Sequence, residues 1–465
     1  MRKRPSSRFI QAAVASLLAL PLLATAYCED PAGLADNRAA KPNAFDPNEL
    51  FDGPAQGDAK AQLGSLARQT LQASLEVRSA ESSGRAGYYD LDQAEAARRP
   101  LVAVTGNVGA GQSRVYGETQ SPSGLGGVSI NATAPLYDGG RIDRLSEWRR
   151  RLAQAGDTNI VATRERMVNE SLVTVLDLNR FRLQARVYQQ YAGKMSCLVR
   201  SLEQIVANDR GRASELVQAR KSQRQAEISR DGVISQLRRT DVHLRKLVAD
   251  NVEPWAAVGV PLTQVPELQT VVEQIRQSPD VQRLRLQADA AESYAAAAKA
   301  DAKPKVNWNV GSGANRIAQN TTTNWTAGVS VTYVLDDGGA IKSASNAAQE
   351  RAYAARRDYD ALLTDRTRLA REYHEAATNA FVQARLYAEV LKDSDQVRNA
   401  TYEQWARLGR RSLFDLMSAE SEHYNLRIAY LNALHDGFVA TAQLRSLGQG
   451  LVPWMAPDLP APKSR

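Results

Sequence analysis

The sequence predicts a mixed α and β membrane protein with an internal two-fold repeat. Each chain supplies four strands to a transmembrane β-barrel shared between copies, set on a long α-helical coiled-coil barrel. Three observations predict this. Two runs of about ten residues alternate apolar and polar side chains, as a strand with one apolar and one polar face does. Each run ends in a double glycine, in "APLYDGGRID" (134–143) and "YVLDDGGAIKS" (333–343), and a long charged, proline-free segment follows. The same order of elements occurs twice in the 465 residues.

The first element is a targeting signal. "MRKRPSSRFIQAAVASLLALPLLATAYCED" has a basic start, an apolar run from Phe9 to Ala24 and a small-x-small site at Ala24-Thr25-Ala26, the form of a secretory signal peptide over 1–26. The apolar run is short for a membrane span. Cys28 offers an acylated start as an alternative, with Tyr27 before it where a small residue is expected. Residues 27–57 read as an irregular N-terminal segment.

The first structural repeat covers 58–250. A helical approach over 59–97 reaches Pro100, and "LVAVTGNVGAG" (101–111) follows as a strand. The polar connection Gln112 to Gly124 leads to the return strand, in which Val128, Ile130, Ala132, Ala134 and Leu136 alternate with Ser129, Asn131, Thr133 and Pro135. Gly139 and Gly140 turn the strand into a helix, because glycine accepts backbone angles closed to other residues. That helix runs over 141–208 and spans roughly 100 Å at 1.5 Å per residue. Leu178, Phe181, Ala185, Tyr188 and Ala192 form its seam. It breaks at Gly211-Arg212-Ala213-Ser214, glycine stopping the helix and serine capping the next, which ends near Val248.

A Pro-containing linker (251–277) joins the second repeat, 278–448. Ser278 is the expected N-cap of its first helix, with Pro279 at the first helical position. "KVNWNVGSGAN" (305–315) is a strand, Arg316 to Thr323 a connection, and Trp325, Ala327, Val329, Val331 and Tyr333 the apolar face of the return strand. Gly338 and Gly339 open a second long helix over 341–408. Its seam is Tyr359, Leu362, Leu369, Tyr373, Ala376 and Ala380, with Arg366 filling the gap. It breaks at Gly409-Arg410-Arg411-Ser412, and the last helix ends near Leu447. A C-terminal tail, 449–465, reads as irregular.

Four strands cannot close a barrel, and unpaired edges are intolerable in lipid. Three chains sharing one barrel would give twelve strands. Val128, Ile130, Ala132, Leu136, Trp325, Val329, Val331 and Tyr333 are then expected to face outer-membrane lipid, and the two connections to be extracellular.

With these elements in place, the chain resembles the TolC family of outer-membrane efflux proteins over nearly all of its mature length. The carriers are "PLYDGG", "VLDDGG" and "LGRRSLFDLMSAESEHYNLRIAYLNA" (408–433), the last matching the family's Gly, Ser/Thr, Asp-hydrophobic-Leu/Met pattern at the periplasmic turn. The resemblance implies a homotrimer in the Gram-negative outer membrane that extends into the periplasm. It also implies a periplasmic adaptor and an inner-membrane transporter as partners, in efflux or type I secretion. It matches Arg411 to a gate-bonding Arg and Asp415 to an acidic position that rings the constriction. A helix-capping role is the alternative for Arg411. The turns, with Gly211, Arg212, Ser214, Glu215, Gly409, Arg410 and Ser412, would form the periplasmic tip and the adaptor's docking surface. The first turn departs from the pattern: Gly211 is followed four residues later by Glu215, where the family has Asp at the sixth.

Other functions are excluded or disfavoured. The net charge is +8, and Arg2, Lys3, Arg4 and Arg8 account for four of it, leaving 8 − 4 = +4. No basic block with interleaved aromatics accompanies it, so nucleic acid is not an expected partner. The four histidines and two cysteines make no metal spacing, and there is no nucleophile elbow, phosphate loop or dinucleotide fingerprint. No enzyme activity, metal or cofactor is expected. A periplasmic coiled-coil adaptor or scaffold would explain the helices but not the two alternating strand pairs.

Overall fold

The computed structural model describes residues 59–111, 114–115, 118–119, 123–250, 255, 257–317, 320–406 and 408–460. The expected signal (1–26), the segment 27–57 with Cys28, 251–254 and 256 of the linker, 112–113, 116–117 and 120–122 of the first strand connection, 318–319 of the second, 407 and 461–465 lie outside the described residues.

Helices α1 (Ala59–Ala73) and α2 (Leu75–Ala96) are separated at Ser74, and strand β1 (Leu101–Gly111) follows. Two short paired segments, β2 (Arg114–Val115) and β3 (Glu118–Thr119), precede β4 (Ser123–Tyr137). Helix α3 (Arg141–Asn208) and its return α4 (Ala213–Val248) complete the first repeat. The second contains α5 (Leu268–Ile275), α6 (Pro279–Ala300), β5 (Lys305–Ile317), β6 (Asn320–Thr332), α7 (Ala340–Ala406), α8 (Leu413–Leu447) and α9 (Leu451–Met455). The expected mixed fold and its internal repeat are borne out. Two compact units each draw matching stretches from both repeats.

One unit (75–166, 272–368 and 460–465) contains the sheet. Its four strands are antiparallel in the order β1-β4-β5-β6, so β1 and β6 are its edges. Antiparallel partners point to one face, and the register sorts the side chains sharply. Val104, Ile130, Ser312 and Trp325 form one row across the sheet, and Val102, Ala132, Val310 and Ala327 the next. The opposite face carries rows such as Asn107, Gly127, Asn315 and Thr322. Trp325 is 78% exposed and Val331 67%, so the apolar face is not covered within the chain. In the same unit, α2 packs on α3 through small residues: a Cβ on Gly156 would stand 3.5 Å from Gly84 Cα. Tyr88 donates to Asp157 across the same contact at 2.6 Å. Ala295 of α6 and Ala348 and Ala352 of α7 make an alanine seam.

The other unit (up to Ser74, 167–271 and 369–459) holds the larger core. Leu63 and Leu66 of α1, Leu172 of α3, Leu244 of α4 and Phe438 of α8 surround the buried Trp255. Trp255 Nε1 donates to Ser65 Oγ at 3.0 Å, and Asn179 Nδ2 donates to the Trp255 carbonyl at 2.8 Å. A second cluster lies close to both turns, with Leu198 and Leu202 against Leu216, Leu413 and Leu416.

Several expectations are corrected. The C-terminal tail is not wholly irregular: α9 buries Leu451, Val452 and Met455 in the main core. Ala380 of the predicted α7 seam is buried, but a row spaced by seven, Ala370, Ala377, Ala384 and Leu391, is buried more deeply, one position on from the predicted Leu369 and Ala376. Ser278 is the N-cap residue of α6, with Pro279 following, as expected, but its side chain makes no cap hydrogen bond. The connection expected over 316–323 is mostly strand, because the β5–β6 ladder continues to the Ile317–Asn320 pair.

Candidate functional site

Both strand-to-helix junctions are built alike. Gly139 and Gly140 have φ of +69° and +82°, and Gly338 and Gly339 +67° and +87°, all in the left-handed region. The aspartate ahead of each pair closes the turn. Asp138 accepts the Gly140 N–H at 2.9 Å and the Ile142 N–H at 2.5 Å. Asp337 accepts the Gly339 N–H at 2.9 Å and the Ile341 N–H at 2.6 Å. A carboxylate on the first free N–H groups of a helix satisfies donors that lack intrahelical partners and meets the positive end of the dipole. Sequence reasoning missed these two caps, although the Asp-Gly-Gly spacing is the same at both.

Among the predicted lipid-facing residues, Val128, Ile130, Ala132, Trp325, Val329 and Val331 share one face by register. Leu136 falls at an irregularity in the β4–β5 ladder, where Tyr137 rather than Leu136 stands opposite Val306. Tyr333 follows the end of β6 and is exposed.

The two helical turns differ. At the second, Gly409 has φ +59° and the Arg410 N–H reaches back to the Gln404 carbonyl at 3.1 Å, so the helix ends in a glycine C-cap. Ser412 then begins α8 with a capping box: its Oγ accepts the Asp415 N–H at 3.1 Å, and Asp415 accepts the Ser412 N–H at 3.1 Å. These hydrogen bonds from Ser412, side chain first, hold the Asp415 carboxyl below the usual range, and the Arg411 charge adds to them. Arg411 Nε donates to Gln404 Oε1 at 3.2 Å, across the turn within the chain.

At the first turn, Gly211 is not left-handed. Asp209 caps a short 3-10 turn (Arg210–Arg212) by accepting the Gly211 N–H at 3.0 Å. Arg212 is the N-cap residue of α4 and pairs with Glu215 at 2.9 Å. Ser214 lies inside the first turn of α4, so its expected capping role is corrected. The turn is shorter because Asp209 stops the helix before Gly211. A groove of about 570 Å³ lies between α4 and α8, lined by Phe414, Met417 and Leu426 together with Gln218, Ser222 and Asn425. Phe414 is 66% exposed.

Among the described residues no group of His, Cys, Asp and Glu is placed to hold a metal ion, and no helix is long and apolar enough to cross a membrane.

The chain shares its fold with several solved outer-membrane channels. The chain is similar in structure to VceC of Vibrio cholerae, described as an outer membrane protein, with TM-score 0.73, 18% identity, and 84% of this chain and 97% of that one covered. It is similar to the CmeC outer membrane channel of Campylobacter jejuni, with TM-score 0.73, 13% identity, and 83% and 85% covered. It is also similar to the open state of the MtrE outer membrane channel of Neisseria gonorrhoeae, with TM-score 0.69, 16% identity, and 84% and 89% covered. Residues 271–448 match the family model described as outer membrane efflux protein. The resemblance read from its junctions and second turn is borne out by this match and by the shared fold of these channels. No curated protein matches the chain by sequence.

Proposed function

We propose that three copies of this chain form a channel-tunnel in the Gram-negative outer membrane that exports substrates through the periplasm. The observation that carries the reading is the sheet. Its four strands have one apolar exposed face, one polar face and two free edges in β1 and β6. Water does not favour such an apolar face, and lipid does not tolerate such edges, unless copies join edge to edge. Three copies of four strands make twelve, with Val128, Ile130, Ala132, Leu136, Trp325, Val329, Val331 and Tyr333 toward lipid. The family match over 271–448 and the fold of the similar channels support the same reading. The chain acts as a duct and not as an enzyme.

In this reading the two helical turns are the periplasmic tip, where an adaptor docks and delivers cargo from an inner-membrane transporter. Gly211, Arg212, Ser214, Glu215, Gly409, Arg410 and Ser412 form the docking surface, and Arg411 and Asp415 the gate. Small-molecule efflux is favoured over polypeptide secretion by the family description. The test is fractionation. The chain should occur in the outer membrane as a trimer that dissociates only on heating; a monomer in the soluble periplasmic fraction would overturn the proposal. Deleting the gene and comparing drug sensitivity with the secreted proteome separates the two cargo classes.

A further inference from the structure

The polar face of the sheet pairs asparagines with glycines across strands. Asn107 of β1 and Asn315 of β5 both stand opposite Gly127 of β4. Asn131 of β4 stands opposite Gly311 of β5. In each pair the amide lies over the glycine. A Cβ on Gly127 would come within 2.6 Å of Asn107 Oδ1 and closer still to Asn315 Oδ1. A Cβ on Gly311 would likewise run into Asn131 Oδ1. Real Cβ atoms do not approach oxygen so closely, so each amide occupies space that only glycine leaves open. Gly126, on the opposite face, has nothing within 4 Å of its Cβ position.

We propose that Gly127 and Gly311 set the bore of the passage by letting these amides lie flat against its wall. The inference rests on the barrel reading above, in which the polar face lines the passage. An asparagine is short and pivots easily about its side-chain bonds. A methyl group at either glycine therefore leaves the backbone ladder in place and lifts the amide off the wall into the lumen. Around a ring of three copies each substitution is felt three or more times at one level. The pairing makes the glycines determinants of the largest cargo that passes, with no charge involved.

The experiment uses the full chain with Cys28→Ser and Cys197→Ser and a single reporter, Ser330→Cys. Ser330 is on the polar face, opposite Asn307, and deeper along β5–β6 than both glycines when approached from the Ile317–Asn320 end. Maleimides of graded size are added to intact cells. The largest reagent that modifies the reporter gives the size limit. Gly127→Ala and Gly311→Ala should each lose reaction with the largest reagents and keep it with the smallest, whereas Gly126→Ala should leave the limit unchanged. Asn107→Ala should also leave it unchanged, because a flat amide does not narrow the bore, and this variant adds no bulk that could impair folding. Combining Gly127→Ala with Asn107→Ala and Asn315→Ala should restore the limit. An unchanged limit in both glycine variants, or a wider one in Asn107→Ala, overturns the inference while the duct reading stands. Failure of the smallest reagent to reach Ser330→Cys in the parent overturns the duct reading and the inference with it.

Discussion

Ser412 and Asp415 exchange hydrogen bonds at the start of α8, each side chain accepting the other's backbone N–H at 3.1 Å. The box fixes where the chain leaves the second turn. Ser412→Ala removes the cap and should cost the first turn of α8 about 1 kcal/mol. Hydrogen exchange of the amides at 413–416 should quicken about fivefold, as that energy implies, with exchange in the core around Trp255 unchanged.

The gate assignment makes a sharper statement. Arg411 already bonds Gln404 within its own chain, so a gate role requires its remaining N–H groups to reach a neighbouring copy. Arg411→Ser should raise single-channel conductance in planar bilayers several-fold, and Asp415→Ala should weaken block by multivalent cations. Unchanged conductance in Arg411→Ser would leave the residue a turn brace only.

The two faces of β6 predict opposite responses to charge. Val329→Arg places a cation on the apolar face and should cost roughly 2–4 kcal/mol near the bilayer midplane, reducing the heat-sensitive trimer in the outer-membrane fraction. Ser330→Arg, on the polar face, should insert normally. The reverse pattern would exchange lumen and lipid sides.

Acid should loosen one tie in the helical core. Asp177 Oδ1 lies 3.1 Å from His435 Nε2, joining α3 to α8. Burial pushes the Asp177 carboxyl up, but the hydrogen bond and charge of His435, with the Arg180 charge, outweigh it and hold the group below its ordinary range. A carboxylate with a depressed pKa stabilises the fold above its unfolded value of about 4 and loses that contribution as pH falls through the folded value. Asp177→Asn should lower the unfolding temperature at pH 7, and the difference from the parent should shrink and vanish as pH falls below the ordinary carboxylate range and through the lowered folded value. A difference that persists in acid would assign the tie to packing.

Much of this architecture was legible because its punctuation is local. Proline before each first strand and the absence of proline from 141–208 mark the strands and α3 directly. The β5–β6 hairpin was read short because its outer end, Asn320-Thr321-Thr322-Thr323, has polar side chains on both faces and so loses the alternation. Helix α9 was missed because Pro453 interrupts its five residues, and only the core beneath it makes that segment helical. The first turn was misread because Gly211 resembles Gly409 in sequence, while Asp209 had already stopped the helix. Asp138 and Asp337 become caps only because the left-handed glycines that follow turn the chain and bring each carboxylate over the first free N–H groups of the helix.

The free edges of β1 and β6 carry a genetic consequence. A ring closed by three copies is only as sound as its weakest seam. Proline at Val104 of β1 fixes the backbone and removes a donor within an edge strand that must pair with a neighbour, and so distorts that edge. Co-expressed in equal amount with the parent, Val104→Pro copies would be drawn into most assemblies, leaving about one trimer in eight free of them. One altered allele should therefore behave as dominant over the intact one, and export should fall well below the half expected of two independent genes.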